Sequence, residues 1–176
     1  DVIAGRPIPV PSIPKSEPSD MFGLLTQDEI MNFIKAGGPD GKGPRYHELS
    51  ADEIQQEVQH FVDAAKRAKA ANFDAIEIHA GHGYLISSFL SPAVNKRTDE
   101  YGGTPEKRAK LLVDIISQIK IQLKDFPVLV RLDANEYRIE NGITPDDFLI
   151  TASMAQDAGA DAIDVSAYGC LLYTSD

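Results

Sequence analysis

The chain contains 176 residues, and its 27 acidic against 17 basic side chains give a formal charge of −10. With 43% hydrophobic residues it has the composition of a globular protein, which excludes a disordered chain. The acidic balance argues against nucleic acid as a partner, because that affinity comes from clustered Lys and Arg side chains. No run approaches the roughly 18 apolar residues that span a membrane, so we expect no membrane partner. The single cysteine, Cys170, excludes an internal disulfide and favours a reducing compartment, the cytoplasm.

The first quarter of the sequence predicts little regular structure. Five prolines within residues 1–20 disfavour helix and most sheet hydrogen bonds, so we expect an extended surface segment there. Residues 26–35 have the spacing of a short helix with Thr26 as its N-cap. The glycine- and proline-rich residues 37–44 predict a loop.

From residue 50 onward, predicted helices and strands alternate. Ser50 and Glu53 form a capping box in front of a helical run of apolar residues. Thr144 and Thr104 each precede a proline and are expected to begin two further helices, the last of which ends at Gly159. Short strands are predicted over residues 75–79, 128–132 and 162–166. This alternation indicates an α/β fold with a parallel sheet.

Each predicted strand alternates between apolar and charged residues. Glu77 and His79, Arg131, and Asp164 stand opposite the branched apolar residues of their own strands. An open sheet covered by helices is apolar on both faces, whereas a barrel can gather polar side chains inside, near its catalytic end. The alternation therefore favours a TIM (β/α)8 barrel over an open doubly wound sheet.

His79, His82 and Tyr84 lie where a predicted strand ends and a loop begins, with a glycine on each side of His82. In an α/β barrel the carboxyl ends of the strands carry the active site. Two imidazoles can donate hydrogen bonds to one oxygen, and a tyrosine hydroxyl can deliver a proton. From the spacing alone, three interpretations stay open: side chains satisfied within a core, a catalytic group, or a metal site with Glu77 as the third ligand.

A long polar loop without helix or strand is expected at residues 90–103, in front of the helix that Thr104 begins. Arg97 and Asp99 are expected to pair within it and stiffen it, which is a structural role.

Residues 75–103 resemble the signature of the old yellow enzyme family of flavin-dependent ene-reductases. Members typically show a His-x-x-His or His-x-x-Asn pair, Gly-Tyr-Leu, Phe-Leu-Ser-Pro and Asn-x-Arg-Thr-Asp-x-Tyr-Gly-Gly. In this chain these motifs occupy His79 and His82, residues 83–85, residues 89–92 and residues 95–103. The resemblance continues through residues 130–132 and, more weakly, residues 161–166, and it reaches back to residues 9–12.

The resemblance implies an FMN enzyme that reduces activated C=C bonds of α,β-unsaturated carbonyl or nitro compounds, with NADH or NADPH as reductant. Carried over, His79 and His82 would bind the carbonyl or nitro oxygen of this small-molecule substrate, and the flavin would deliver hydride to the β-carbon. Tyr84 would protonate the α-carbon. Arg131 would lie against the pyrimidine edge of the flavin, where a positive charge stabilises the reduced ring. The family pattern implies no metal.

The chain is shorter than a complete barrel, which needs eight strands and about 250 residues. Its three predicted strands match the fourth to sixth strands of the family's barrel. Residues 1–169 are therefore interpreted as the central part of a flavin-binding barrel, an incomplete domain of an enzyme of roughly 350 residues or more. Residues 170–176 do not fit the family and are interpreted as a read-through tail.

Two hypotheses compete with the ene-reductase. One is a metal-dependent barrel hydrolase or aldolase that uses His79 and His82. The other is that the chain is an inactive truncated product, which is compatible with an active parent enzyme.

Overall fold

The structure, a computed structural model, describes residues 7–14, 27–28 and 45–168, which fall into two compact units, within residues 1–49 and 50–176. Gln27 and Asp28 are helical; the rest of the helix predicted at residues 26–35 lies outside the described residues. So do the predicted loop at residues 37–44 and the tail that contains Cys170. Within the described ranges, no helix combines the length and apolarity needed to cross a membrane.

The first unit contains a parallel pair of short strands, β1 (Ile8–Val10) and β2 (Tyr46–Glu48). The backbone N–H of Ile8 donates to the carbonyl of Arg45 (2.7 Å), and the carbonyl of Val10 accepts from the backbone N–H of Leu49 (3.1 Å). Because N–H groups alternate between the two sides of a strand, the N–H that Pro9 lacks belongs to the side away from β2. The expectation of a surface segment is thus wrong at Val10 and Ser12, which are buried.

The second unit is built on a parallel sheet in the order β3–β4–β5, with β3 at Ile76–Ala80, β4 at Val128–Glu136 and β5 at Ala162–Tyr168. The predicted α/β class and parallel pairing are confirmed, and each strand lies where it was expected. β4 runs four residues further than the prediction, through a register shift between Asp133 and Glu136. Such an irregularity breaks the alternation on which a strand prediction depends. The three strands do not close a barrel within the part of the chain that is described.

Four helices accompany this sheet: α1 (Ala51–Ala70), α2 (Leu85–Leu90), α3 (Pro105–Gln122) and α4 (Pro145–Asp157). Ser50 and Thr144 begin α1 and α4 with capping boxes, and Thr104 caps α3 in front of its proline, as the sequence predicts. Gly159, with φ of 108°, follows α4 in the left-handed conformation that favours glycine. α2 is a single short helix, too brief for helical periodicity to reveal it.

The core of this unit lies on the helix-covered side of the sheet. α3 packs against α1, α2 and α4, and α4 packs against β4. The apolar residues of β3 and β4 stand in register there, as Ile78 with Val130 and Ala80 with Leu132. The fully or almost fully buried side chains include Ile54, Val58, Val62, Ile78, Leu112, Ile115, Ile119, Val128, Val130 and Leu132.

Candidate active site

The opposite face of the sheet carries polar residues in register. His79 of β3 is the register partner of Arg131 of β4, which is in turn the partner of Asp164 of β5. Two residues further along β4, Asp133 is the partner of Ser166. The predicted alternation is confirmed across all three strands, and it places these side chains together toward the carboxyl end of the sheet.

Three aromatic rings converge just after β3. The His79 and His82 ring centroids are 5.0 Å apart in an edge-on arrangement, and those of His79 and Tyr84 are 5.2 Å apart. Tyr84 occupies the N-cap position of α2 without capping it by its side chain, and it is 64% exposed. The structure therefore brings the three predicted site residues together at an accessible position, which does not fit side chains satisfied within a core.

The turn between β3 and α2 produces this convergence. His82 has φ of 60° and Gly83 has φ of 73°, so two consecutive residues adopt the left-handed conformation. Gly83 tolerates it, but a residue with a Cβ does so only when other contacts compensate for the cost. At Gly81 the reason for glycine is space, because a Cβ there would lie 3.0 Å from Oδ1 of Asp133.

The Asp133 side chain of β4 forms a hydrogen bond with this turn. Its Oδ2 accepts a hydrogen bond from the backbone N–H of His82 at 2.5 Å, and its Oδ1 accepts one from the Ser166 hydroxyl at 2.8 Å. The Nε2 atom of His82 lies 3.6 Å from Oδ1. Neither Asp133 nor Ser166 is among the site residues predicted from the sequence. The signal was present, because Asp133 follows Arg131 by two residues and so shares its face of the strand.

Arg131 is held between two carboxylates. Its Nη2 and Nε lie 2.5 and 2.6 Å from Oδ2 of Asp164, and its Nε lies 3.2 Å from Oε1 of Glu77. The hydrogen bond and charge of Asp164, together with the charge of Glu77, raise the pKa of Arg131 above its ordinary value. A permanent cation therefore lies on the polar face, one strand away from His79.

The described residues contain no group of three or more histidine, cysteine or carboxylate side chains arranged to hold a metal ion. Glu77, the third ligand of the metal hypothesis, pairs instead with Arg131. His79, His82 and Glu77 thus do not form the ligand set that this hypothesis requires.

The loop that follows α2 is fastened by its own motif residues. The side-chain amide of Asn95 donates to the carbonyls of Phe89 (2.7 Å) and Tyr101 (2.8 Å). Arg97 and Asp99 pair at 2.5 Å, as the sequence predicts, and this hydrogen bond lowers the pKa of the Asp99 carboxyl. The signature at residues 95–103 thus has a structural role in the described contacts: it ties the end of α2 to the start of α3.

Comparisons with known proteins identify the same family. A family model described as "NADH:flavin oxidoreductase / NADH oxidase family" matches residues 4–171. The NADPH dehydrogenase of Bacillus subtilis (strain 168) is 48% identical over 126 residues, which are 72% of this chain and 36% of that protein. The NADH oxidase of Thermoanaerobacter brockii is 44% identical over 126 residues, which are 71% of this chain and 19% of that protein. The chain thus spans about a third or less of the length of these two relatives.

Among solved structures, the old yellow enzyme homologue from Zymomonas mobilis is 29% identical, with a TM-score of 0.69 over 92% of this chain and 42% of that chain. This similarity confirms the resemblance to old yellow enzymes and the assignment of the sheet to part of a TIM-barrel fold. The family's enzymes bind FMN and use NADH or NADPH, as the sequence resemblance implies. The chain belongs to the NADH:flavin oxidoreductase / NADH oxidase family.

Proposed function

We propose that this chain supplies the substrate-binding and proton-donating part of an FMN-dependent enzyme that reduces activated C=C bonds. The substrates are α,β-unsaturated carbonyl or nitro compounds, and the reductant is NADH or NADPH. The observation that carries the proposal is the convergence of His79, His82 and Tyr84 on the face of the sheet that also carries Arg131.

The residues present fit a flavin. The Arg131 side chain is 40% exposed, so its guanidinium can contact a ligand while it is paired with Asp164 and Glu77. The contacts of Arg131 with Asp164 and Glu77 are made by Nε and Nη2, and a guanidinium offers five N–H donors in a fixed plane. Such a group suits the oxygen- and nitrogen-rich pyrimidine edge of FMN. When bound, FMN supplies the hydride that is added to the β-carbon of the alkene.

The two histidines would bind the carbonyl or nitro oxygen. Their rings stand edge-on at 5.0 Å, so an N–H of each can be directed at one small acceptor between them. Hydrogen bonds to that oxygen draw electron density from the double bond and stabilise the negative charge that develops as hydride arrives. His79 and His82 thereby act as the electrophilic part of the site.

Tyr84 would complete the addition by donating its hydroxyl proton to the α-carbon. Its ring contacts that of His79, and its exposed position leaves the hydroxyl available to a substrate held by the histidines. A positioned acid of this kind typically contributes about 10²- to 10⁴-fold to a rate. Hydride at the β-carbon and a proton at the α-carbon together give the saturated product.

We also propose that residues 1–169 form the central part of a flavin-binding barrel, with the fourth to sixth strands, and that the rest of the barrel belongs to a longer parent enzyme. The support is the share of each relative that the chain covers and the open three-stranded sheet. The expected partner is a small-molecule substrate.

The test uses the full-length enzyme that contains this chain. We expect the purified enzyme to contain FMN, to be bleached by NADPH without oxygen, and to regain its colour when cyclohexenone is added. A flavin-free enzyme, or a reduced flavin that the enone does not reoxidise, would contradict the proposal. Stoichiometric zinc or manganese with activity lost on chelation would instead favour the metal-dependent hydrolase or aldolase.

A further inference from the structure

We infer that Asp133 is a positioning residue for His82: it holds the left-handed turn that presents one of the two oxygen-binding histidines. This inference rests on the proposed function of the histidine pair. Asp133 contacts no reacting group itself and acts through the backbone of His82.

Asp133 carries a buried carboxylate. The Asp133 side chain is 0% exposed, although it lies on the polar face of the sheet. Burial of a carboxylate is costly unless hydrogen bonds compensate for the lost water. The compensating donors are the backbone N–H of His82 and the hydroxyl of Ser166. The buried charge is therefore tied to the active-site turn on one side and to β5 on the other.

The turn at His82 has a backbone conformation that needs a restraint. His82 carries a side chain and yet has φ of 60°, so an interaction must hold it there. The 2.5 Å hydrogen bond from its own N–H to Asp133 is charge-assisted, which is the stronger class of hydrogen bond. Without this acceptor the N–H would be partly buried and unpaired, and the turn would lose its main restraint among the described contacts.

The carboxylate of Asp133 fits closely against the turn. Gly81 leaves room for it, because a Cβ at that position would lie 3.0 Å from Oδ1. Nε2 of His82 is 3.6 Å from the same oxygen, so the ring lies beside the carboxylate without a hydrogen bond. Asp133 thus restrains the main chain of His82 and limits the space next to its ring.

Glu136 provides a matched comparison on the same strand. It is also buried, but its Oε2 accepts hydrogen bonds from the Ser91 hydroxyl (2.6 Å) and the Ile143 N–H (2.8 Å), away from the histidines. Loss of either carboxylate removes one buried charge from β4. Only loss of Asp133 should change how the substrate oxygen is bound.

The experiment compares Asp133→Ala, Asp133→Asn and Glu136→Gln in the full-length FMN enzyme. The flavin is reduced with dithionite, and its reoxidation is followed at increasing concentrations of cyclohexenone. We expect Asp133→Ala to raise the apparent dissociation constant of the enone by up to about tenfold, because loss of this charge-assisted hydrogen bond lowers the fraction of molecules that hold the turn in its binding conformation. Asp133→Asn should give a smaller rise, because its carboxamide oxygen still accepts from the His82 N–H. Glu136→Gln should lower the melting temperature while leaving the enone constant unchanged.

A second measurement tests the role of Asp133 independently of whether the enzyme reduces an enone. Amide hydrogen exchange at His82 should be faster in Asp133→Ala than in wild type or Glu136→Gln. Should Asp133→Ala fail to fold, Asp133→Asn and Ser166→Ala give the test, and both should weaken enone binding. Unchanged enone constants in an active enzyme, or unchanged exchange at His82, would overturn the role of Asp133. A wild-type enzyme that does not reduce the enone would overturn the proposed function, whereas the exchange result would still decide whether Asp133 restrains His82.

Discussion

The hydroxyl of Tyr84 is the only group in the proposed site that is assigned to proton donation, so its removal should separate the two halves of the reaction. We predict that Tyr84→Phe slows alkene reduction by about 10²- to 10⁴-fold and leaves flavin reduction by NADPH unaffected. Phenylalanine keeps the ring contact with His79 and removes only the acid. Stopped-flow measurement of each half-reaction in the full-length enzyme provides the test, and an unaltered alkene step would exclude Tyr84 as the proton donor.

The motif residues of the site could be predicted from the sequence, whereas the contacts that restrain them could not. His79, His82 and Tyr84 fall in one short segment, and Arg131 stands out as a charge in an apolar strand. Strand alternation places Asp133 on the polar face with Arg131, but its partner, the backbone N–H of His82, is 51 residues away in the chain. Spacing along a sequence does not reveal such a contact.

The helices whose first residues carry strong local sequence signals begin where the sequence predicts. α1, α3 and α4 begin at the predicted caps because Ser50, Thr104 and Thr144 satisfy backbone N–H groups locally. β1 and the end of β4 differ from the prediction because pairing with a neighbouring strand decides them. Pro9 is tolerated in β1 because the N–H that it lacks would point away from β2.

Asp161 connects three elements, and its contacts lead us to expect that the stability of the fold depends on pH. It accepts hydrogen bonds from Lys120 of α3 (2.5 Å) and from the N–H of Val128 at the start of β4 (2.7 Å), and it directly precedes β5. These hydrogen bonds, that of Lys120 first, lower the pKa of Asp161. A carboxyl whose pKa is lower in the folded than in the unfolded state stabilises the fold above its unfolded pKa, and this contribution is lost as pH falls through the folded pKa.

We therefore predict that Asp161→Asn lowers the melting temperature of the full-length enzyme at pH 7, and that the difference shrinks below about pH 4. The side chain is 46% exposed, so solvent screening limits the effect to at most about 1 kcal/mol. Asp63→Asn is the control, because the contacts of Asp63, with Lys66 (3.6 Å) and with the side-chain amide of Gln59 (2.8 Å), stay within α1. Equal effects of the two substitutions at pH 7, or a difference that grows in acid, would contradict the assignment.

At the scale of the whole molecule, the three-stranded sheet has an unpaired edge on each side within the described residues. The outer strand β5 also leaves Val165 57% exposed on the face that is covered in β3 and β4. Local alternation could predict the α/β class and the polar face. It could not predict which strands close the sheet, because closure depends on pairing with residues beyond these three strands.

These edges predict the behaviour of the isolated chain. Unpaired strand edges and uncovered apolar residues promote association between copies, so we expect the 176-residue chain expressed alone to aggregate or to lack fixed tertiary packing. Size-exclusion chromatography and near-ultraviolet circular dichroism test this, with the full-length enzyme as the control. If the isolated chain were monodisperse and bound flavin, the prediction would be wrong, and the described sheet would be sufficient for stable folding.

The most direct test of the proposed site follows the reaction of reduced flavin with an alkene in full-length wild type, His79→Ala and His82→Ala. Each enzyme is reduced with dithionite under anaerobic conditions and mixed with cyclohexenone while flavin absorbance is recorded. We predict reoxidation with saturable dependence on enone in wild type, and binding about tenfold weaker in each variant, because each loses one hydrogen-bond donor to the substrate oxygen. Reduced wild-type flavin that the enone leaves unchanged, or variants that react like wild type, would contradict the proposed role of the two histidines.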